Sequence, residues 1–233
     1  NMESELKILV IGGSGMVGYK LVKFFIKNGH NVNFTFNKKI INDSRSIQLD
    51  IVDKLQTEKV ISKFNSDIVI NCAAATSVDL CETNHELAEK INIQGTENIV
   101  SACIKNSSKI VQISTSYVFD GKKSMYTETD ETLGTTYYGF TKMKGEKIIE
   151  NSQLEYLILR TDQPFGWTEK WQKTNSPVGR ARGRYWGDLS NSILGGGVFF
   201  FSFFRVCPGF FRLFGPRGVQ FFHIFRFFVF FSS

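Results

Sequence analysis

The run Lys7-Ile8-Leu9-Val10-Ile11 ends directly in Gly12-Gly13-Ser14-Gly15-Met16-Val17-Gly18, and an amphipathic stretch follows at once. A strand that feeds a GxxGxxG turn and then a helix leaves few folds open. Gly12 suits the tight turn, Gly15 lets the backbone approach a pyrophosphate, and Gly18 lets the helix lie close on the strand. The first turn of that helix, at Met16 and Val17, offers free N–H groups and the positive end of a dipole to an anion. Alone, the motif is a plain glycine-rich turn. Between a strand and a helix it predicts a dinucleotide-binding βαβ unit.

The rest of the first 176 residues agrees. VNFTF (32–36), DIVINC (67–72), KIVQIS (109–114) and EYLILR (155–160) are short apolar runs rich in Ile and Val, as buried parallel strands are. Helical patterns over 16–28, 54–64, 84–106 and 138–151 alternate with them. The expected fold is α/β, a Rossmann-type doubly wound parallel sheet.

The composition changes near residue 176. Residues 1–179 balance 19 Lys and 2 Arg against 21 acids, whereas the remainder holds seven Arg and one Asp and supplies the whole net charge of +6. Lys is absent after Lys173, Glu after Glu169, and 15 of the 23 Phe fall between Phe199 and Phe231. A basic nucleic-acid face on the main domain is therefore not expected. The expected division is 1–176, an NAD(P)-binding domain, and 177–233, an atypical Phe/Arg/Gly-rich tail. Three readings of the tail exist: a membrane segment, an aromatic basic surface anchor, and an unselected sequence after a frame shift or chimeric join. VFFFSFF spans only seven residues before Arg205, against the roughly 18–20 needed to cross a bilayer, and the abrupt loss of two common residue types favours the third. The first residues, NMESELKILV, carry acids where a signal peptide would be basic. Cys72, Cys81, Cys103 and Cys207 form no CxxC pair and no metal-spaced cluster, so reduced thiols, no metal and a cytoplasmic setting are expected.

The end of the second strand bears on the cofactor. An acid there would accept hydrogen bonds from a ribose 2′-OH; the chain has Phe36-Asn37-Lys38-Lys39 instead. The two lysines suit a 2′-phosphate, which favours NADPH over NADH, unless they are simply solvated loop charges. Asp50-Ile51 follows the short run IQL; its carboxylate either accepts from the adenine amino group or starts the next turn.

The catalytic candidates lie further on. Ser114-Thr115-Ser116 ends the fifth strand, and Tyr138 and Lys142 open the next helix at i and i+4, 23 residues after Thr115. A free phenol has a pKa near 10, and a neighbouring ammonium is expected to lower it toward the neutral range needed for proton exchange. Thr115, at the C-terminal edge of the sheet, can hydrogen-bond a substrate oxygen. Tyr137 is a rival, but its i+4 residue is the uncharged Thr141.

The series GGSGMVG, LDIVD, NCAAATSVDLCE, ISTSYVFDG, YYGFTKMKGE and LILRTD resembles the extended short-chain dehydrogenases, and within them is most similar to the dTDP-4-dehydrorhamnose reductases. The resemblance implies that Thr115, Tyr138 and Lys142 are the catalytic hydroxyl, proton donor and lysine. It also implies that Gly15, Met16 and Val17 line the pyrophosphate, that Ala73, Ala74 and Ala75 pass beneath the adenosine, and that Asn92 braces the central helix. The expected activity is reduction of the 4-keto group of a nucleotide-linked 6-deoxy sugar with NADPH, NADH being the alternative, in a protein without a nucleic-acid partner or a membrane span and compatible with a homodimer. Two departures stand out. Ser116 occupies a position that is usually Asp and contacts substrate, and the family's C-terminal substrate domain is truncated or replaced by the tail. An NAD-dependent sugar-nucleotide epimerase or dehydratase is one alternative, though the acid after the second strand is missing. A non-catalytic dinucleotide-binding subunit, resembling the regulatory subunit of methionine adenosyltransferase, is another.

Overall fold

The computed structural model describes residues 5–38, 40–123, 126–161 and 201–206. β1 (Lys7–Ile11), β2 (Asn31–Phe36), β3 (Ser46–Gln48), β4 (Ile68–Asn71), β5 (Lys109–Thr115) and β6 (Tyr156–Thr161) form a parallel sheet, to which β7 (Phe201–Val206) adds antiparallel to β6. The strand order is β3-β2-β1-β4-β5-β6-β7. The order reverses between β1 and β4, and the crevice above that switch point is where open α/β sheets hold ligands. Apart from Phe201–Val206, the tail from residue 177 lies outside the described residues, and so does its reading as a non-native segment.

Alternation along each strand builds two cores. Ile8 and Val10 face α1 (Met16–Lys27), against Leu21, Val22 and Phe25, together with Phe34, Ile70 and Val111. Leu9 and Ile11 face the other side, with Val60 and Ile61 of α2 (Lys54–Phe64) and Ile99 and Cys103 of α5 (Gly95–Asn106). A sheet buried on both faces reads as continuous apolar runs, which is why the strands were legible.

The expected helix over 84–106 is three pieces: α4 (His85–Glu89), a π-helical turn (Lys90–Gln94) and α5. A further short helix, α3 (Val78–Thr83), precedes them. Asn84 separates α3 from α4 and caps α4 by accepting from Leu87 N–H at 3.0 Å. The π turn carries the buried Asn92. α6 runs Tyr137–Glu150, its start fixed by Thr136 accepting from Gly139 N–H at 3.0 Å. No helix among the described residues is long and apolar enough to cross a membrane.

Candidate active site

The glycine loop fits a phosphate. Gly12 has φ +75°, and a Cβ there would stand 2.8 Å from Ala73 N. A Cβ on Gly18 would stand 2.4 Å from Gly12 O, so the helix does lie as close as its sequence implied. A Cβ on Gly13 would stand 2.6 Å from Phe34 Cβ and 2.9 Å from its ring. Gly15 differs: it is exposed, and a Cβ would find only Gly12 O, at 3.3 Å. The space over Gly15 opens onto the first turn of α1, which has no capping side chain and no acid, leaving Met16 and Val17 N–H for an anion. Thr35 Oγ1 accepts from Gly12 N–H at 3.0 Å and holds the loop to β2.

Asn37 and Lys38 are exposed at the end of β2, and Gln48 donates to Asn37 O at 2.9 Å. Lys39 lies outside the described residues. Asp50 is exposed and starts a turn, accepting from Val52 N–H at 3.1 Å while its own N–H goes to Gln56 Oε1 at 2.8 Å. Ile51 is buried against Gly95, and its carbonyl accepts from Asn98 at 2.9 Å. Ala73 to Ala75 run from Gly12 to Asn92. Asn92 accepts from Ala75 N–H at 2.9 Å and donates to Ala75 O at 3.1 Å and Thr141 Oγ1 at 3.0 Å. It ties the segment after β4 to α6. Cys72, Cys81 and Cys103 carry free thiols.

Thr115 ends β5, and Ser116, half-buried, begins a 3-10 turn to Val118. Thr115 Oγ1 accepts from Tyr117 N–H at 3.2 Å, and its side chain lies near enough to the Tyr138 phenol to favour the phenolate. Lys142 Nζ donates to Ile113 O at 2.8 Å. Thr115, Tyr138 and Lys142 are all nearly buried, at 4%, 8% and 5% exposure. The structure thus gathers the three on the edge that the glycine loop shares.

The electrostatics correct one expectation. Burial pushes the Tyr138 phenol up to about 12, against the Thr115 hydrogen bond, with Cys81 and Tyr117 adding to the rise. Lys142 does not contribute to that shift, because its ammonium points to the Ile113 carbonyl. Burial instead lowers Lys142 itself to about 8, opposed by Glu146 and Cys72. Tyr137 is placed differently: its hydroxyl donates to Glu89 at 2.6 Å and its ring stacks on His85 at 3.6 Å. The rival tyrosine is thereby committed to α4. Thr35, Thr141 and the buried pair Asn71–Gln112, whose amides meet at 2.9 Å, were not foreseen; polar residues inside strands and helices carry no sequence signal for a partner so distant in the chain.

Comparison with known proteins agrees with this geometry. The family described as the RmlD substrate binding domain matches residues 6–174. The chain is 34% identical over 161 residues to dTDP-4-dehydrorhamnose reductase of Aggregatibacter actinomycetemcomitans, covering 69% of this chain and 52% of that protein. It is 27% identical over 169 residues to methionine adenosyltransferase 2 subunit beta of Mus musculus, covering 72% and 50%. Among solved structures it resembles dTDP-4-dehydrorhamnose reductase from Bacillus anthracis in complex with NADP, with TM-score 0.62 and 30% identity over 68% of this chain and 54% of that one. The chain spans about half the length of the curated relatives it matches. A glycine cradle, a Thr–Tyr–Lys edge and a family match over residues 6–174 together establish that this chain belongs to the RmlD substrate binding domain family.

Proposed function

We propose that residues 1–176 form the cofactor-binding and proton-donating part of a reductase that acts on the 4-keto group of a nucleotide-linked 6-deoxy sugar with NADPH. The observation that carries this reading is that Thr115, Tyr138 and Lys142 are buried together on the sheet edge that also holds the glycine loop. The names of the Aggregatibacter and Bacillus relatives, and the NADP bound in the latter, support it. Bound NADPH would supply a hydride to the carbonyl carbon. Gly12, Gly15 and Gly18, with Met16 and Val17 N–H, receive the pyrophosphate. Asn37, Lys38 and Lys39 face the 2′-phosphate, Asp50 and Ile51 the adenine, and Ala73 to Ala75 the adenosine, braced by Asn92. Tyr138 gives its proton to the sugar oxygen, Thr115 and Ser116 hold that oxygen and its neighbours, and Lys142 holds the nicotinamide ribose. The cytoplasm is the setting this chemistry suits.

The resemblance to methionine adenosyltransferase 2 subunit beta keeps a binding-only reading in view. The presence of Thr115, Tyr138 and Lys142 together favours catalysis. The experiment is consumption of NADPH on addition of a dTDP-linked 4-keto-6-deoxy sugar by this chain joined to an intact C-terminal substrate domain of the family. Substrate-dependent oxidation supports the reductase; tight NADPH binding with no turnover supports the binding subunit.

A further inference from the structure

Two amides sit inside the sheet, next in sequence to Ile70 and Val111 of the apolar core. Asn71 ends β4 and is fully enclosed, and Gln112 on β5 is only 2% exposed. They are direct partners in the β4–β5 register, and Gln112 Oε1 accepts from Asn71 Nδ2 at 2.9 Å. Asn71 Oδ1 accepts from Ala73 N–H at 3.0 Å, and Gln112 Nε2 donates to Ile113 O at 3.0 Å. The same carbonyl accepts from Lys142 Nζ at 2.8 Å. One unbroken run of hydrogen bonds therefore leads from Ala73, across two strands, to the ammonium of Lys142. At its other end, Ala73 N lies against the glycine loop, 2.8 Å from where a Cβ on Gly12 would stand.

Burying an amide costs free energy unless the bonds it loses to water are replaced. Two apolar residues of the same shape would fill these positions at little or no cost. The ends of the run show what the polar pair adds. A backbone N–H can only donate, and a backbone carbonyl can only accept. Ala73 N–H requires Asn71 to present its oxygen, Asn71 then offers its NH2 to the Gln112 oxygen, and the Gln112 NH2 finishes on the Ile113 carbonyl. Neither amide can turn over without setting donor against donor or acceptor against acceptor. The pair thus locks two segments that a dinucleotide reaches with its opposite halves: the turn at Ala73 beside the pyrophosphate loop, and Lys142 at the nicotinamide ribose.

We infer that Asn71 and Gln112 are positioning residues, a buried amide pair that holds the Ala73 turn and the carbonyl anchoring Lys142 in one frame for the two halves of the cofactor. The role rests on the NADPH reading of the site. The test compares the full chain as wild type, Gln112→Met and Asn71→Leu/Gln112→Met, by thermal unfolding, by NADPH titration, and by hydrogen exchange of the Ala73 amide without cofactor. Gln112→Met leaves the Asn71 NH2 without an acceptor and frees that side chain to turn. It should melt at lower temperature, exchange the Ala73 amide about tenfold faster or more, and bind NADPH about fivefold more weakly or more. The double variant replaces both partners by apolar groups of similar shape, which restores most of the stability. Its Ala73 amide should still exchange fast and its NADPH affinity should stay low, because Ala73 N–H has no acceptor. A pair serving stability alone would return the affinity together with the melting temperature, so a double variant with wild-type affinity overturns the inference. So does a double variant that cannot fold, or an unchanged Ala73 exchange in the two variants. If wild type binds no NADPH, the cofactor reading fails, while the Ala73 exchange still decides whether the pair holds the turn.

Discussion

Gly139 lies directly under the carbonyl of Tyr117, so close that a Cβ on it would stand 2.1 Å from the oxygen. The contact seats the first turn of α6 against the turn that follows Thr115, and it fixes the depth at which Tyr138 enters the site. Gly139→Ala must push the two apart. Overpacking of this kind costs about 1–3 kcal/mol, and thermal unfolding should show it. The same variant should lose activity beyond its loss of stability, because Tyr138 moves away from Thr115.

Gly15 and Gly18 should separate ligand binding from folding. Gly15→Ala puts a methyl 3.3 Å from Gly12 O, a tight approach that the exposed loop can relieve. It should cost about 1 kcal/mol of stability or less, while NADPH affinity should fall about tenfold or more as the methyl enters the phosphate cradle. Gly18→Ala, with Gly12 O at 2.4 Å from the new Cβ, should unfold at clearly lower temperature. Fluorescence titration and melting curves on both variants check this. Equal NADPH affinity in Gly15→Ala and wild type would contradict the cradle.

Lys142 should make the fold weaker at neutral pH than at alkaline pH. Burial lowers it from 10.5 to about 8, so between those values the unfolded chain binds more protons and stability rises with pH. The penalty is fully present below pH 8. Lys142→Met removes it, along with the hydrogen bond to Ile113 O, and should stabilise the protein by about 1–3 kcal/mol at pH 7. The gain should shrink as the pH approaches 10. Denaturant unfolding of both proteins at pH 7 and pH 10 measures it; a gain that does not shrink with pH would contradict the depressed value.

Lys38 should discriminate between cofactors. Removing a charge-assisted contact to a 2′-phosphate costs about 1.5–3 kcal/mol, so Lys38→Ala should bind NADPH roughly tenfold or more weakly and NADH unchanged. Added salt should weaken NADPH binding to wild type more than to the variant. A parallel loss for both cofactors would show that Lys38 does not face the phosphate.

The sheet was legible because buried parallel strands such as 109–114 are apolar throughout and the glycine loop follows the first of them. β3 was not, since three residues with a half-buried Ser46 and Ile47 carry no pattern of their own. The continuous helical periodicity over 84–106 concealed the π turn, whose purpose is visible only once Asn92 is seen reaching both Ala75 and Thr141. At the site, Thr115, Tyr138 and Lys142 could be placed by strand end and helix spacing. The direction of the Lys142 ammonium could not, because it depends on where the Ile113 carbonyl points. Glu146 and Arg160 stood in the quoted motifs without a role: their pairing spans 14 residues and needs α6 packed against β6.

The central claim is that Tyr138, and not its neighbour Tyr137, gives the proton in an NADPH-dependent reduction. The most direct measurement is substrate-dependent NADPH oxidation by wild type, Tyr138→Phe and Tyr137→Phe, each joined to an intact substrate domain of the family, with NADPH affinity determined for each. Loss of a general acid typically lowers the rate by about 10²–10⁴. Tyr138→Phe should show a loss of that size with cofactor binding nearly intact. Tyr137→Phe, which gives up only its bond to Glu89, should retain most of the activity. Equal losses in the two variants, or full activity in Tyr138→Phe, would contradict the account.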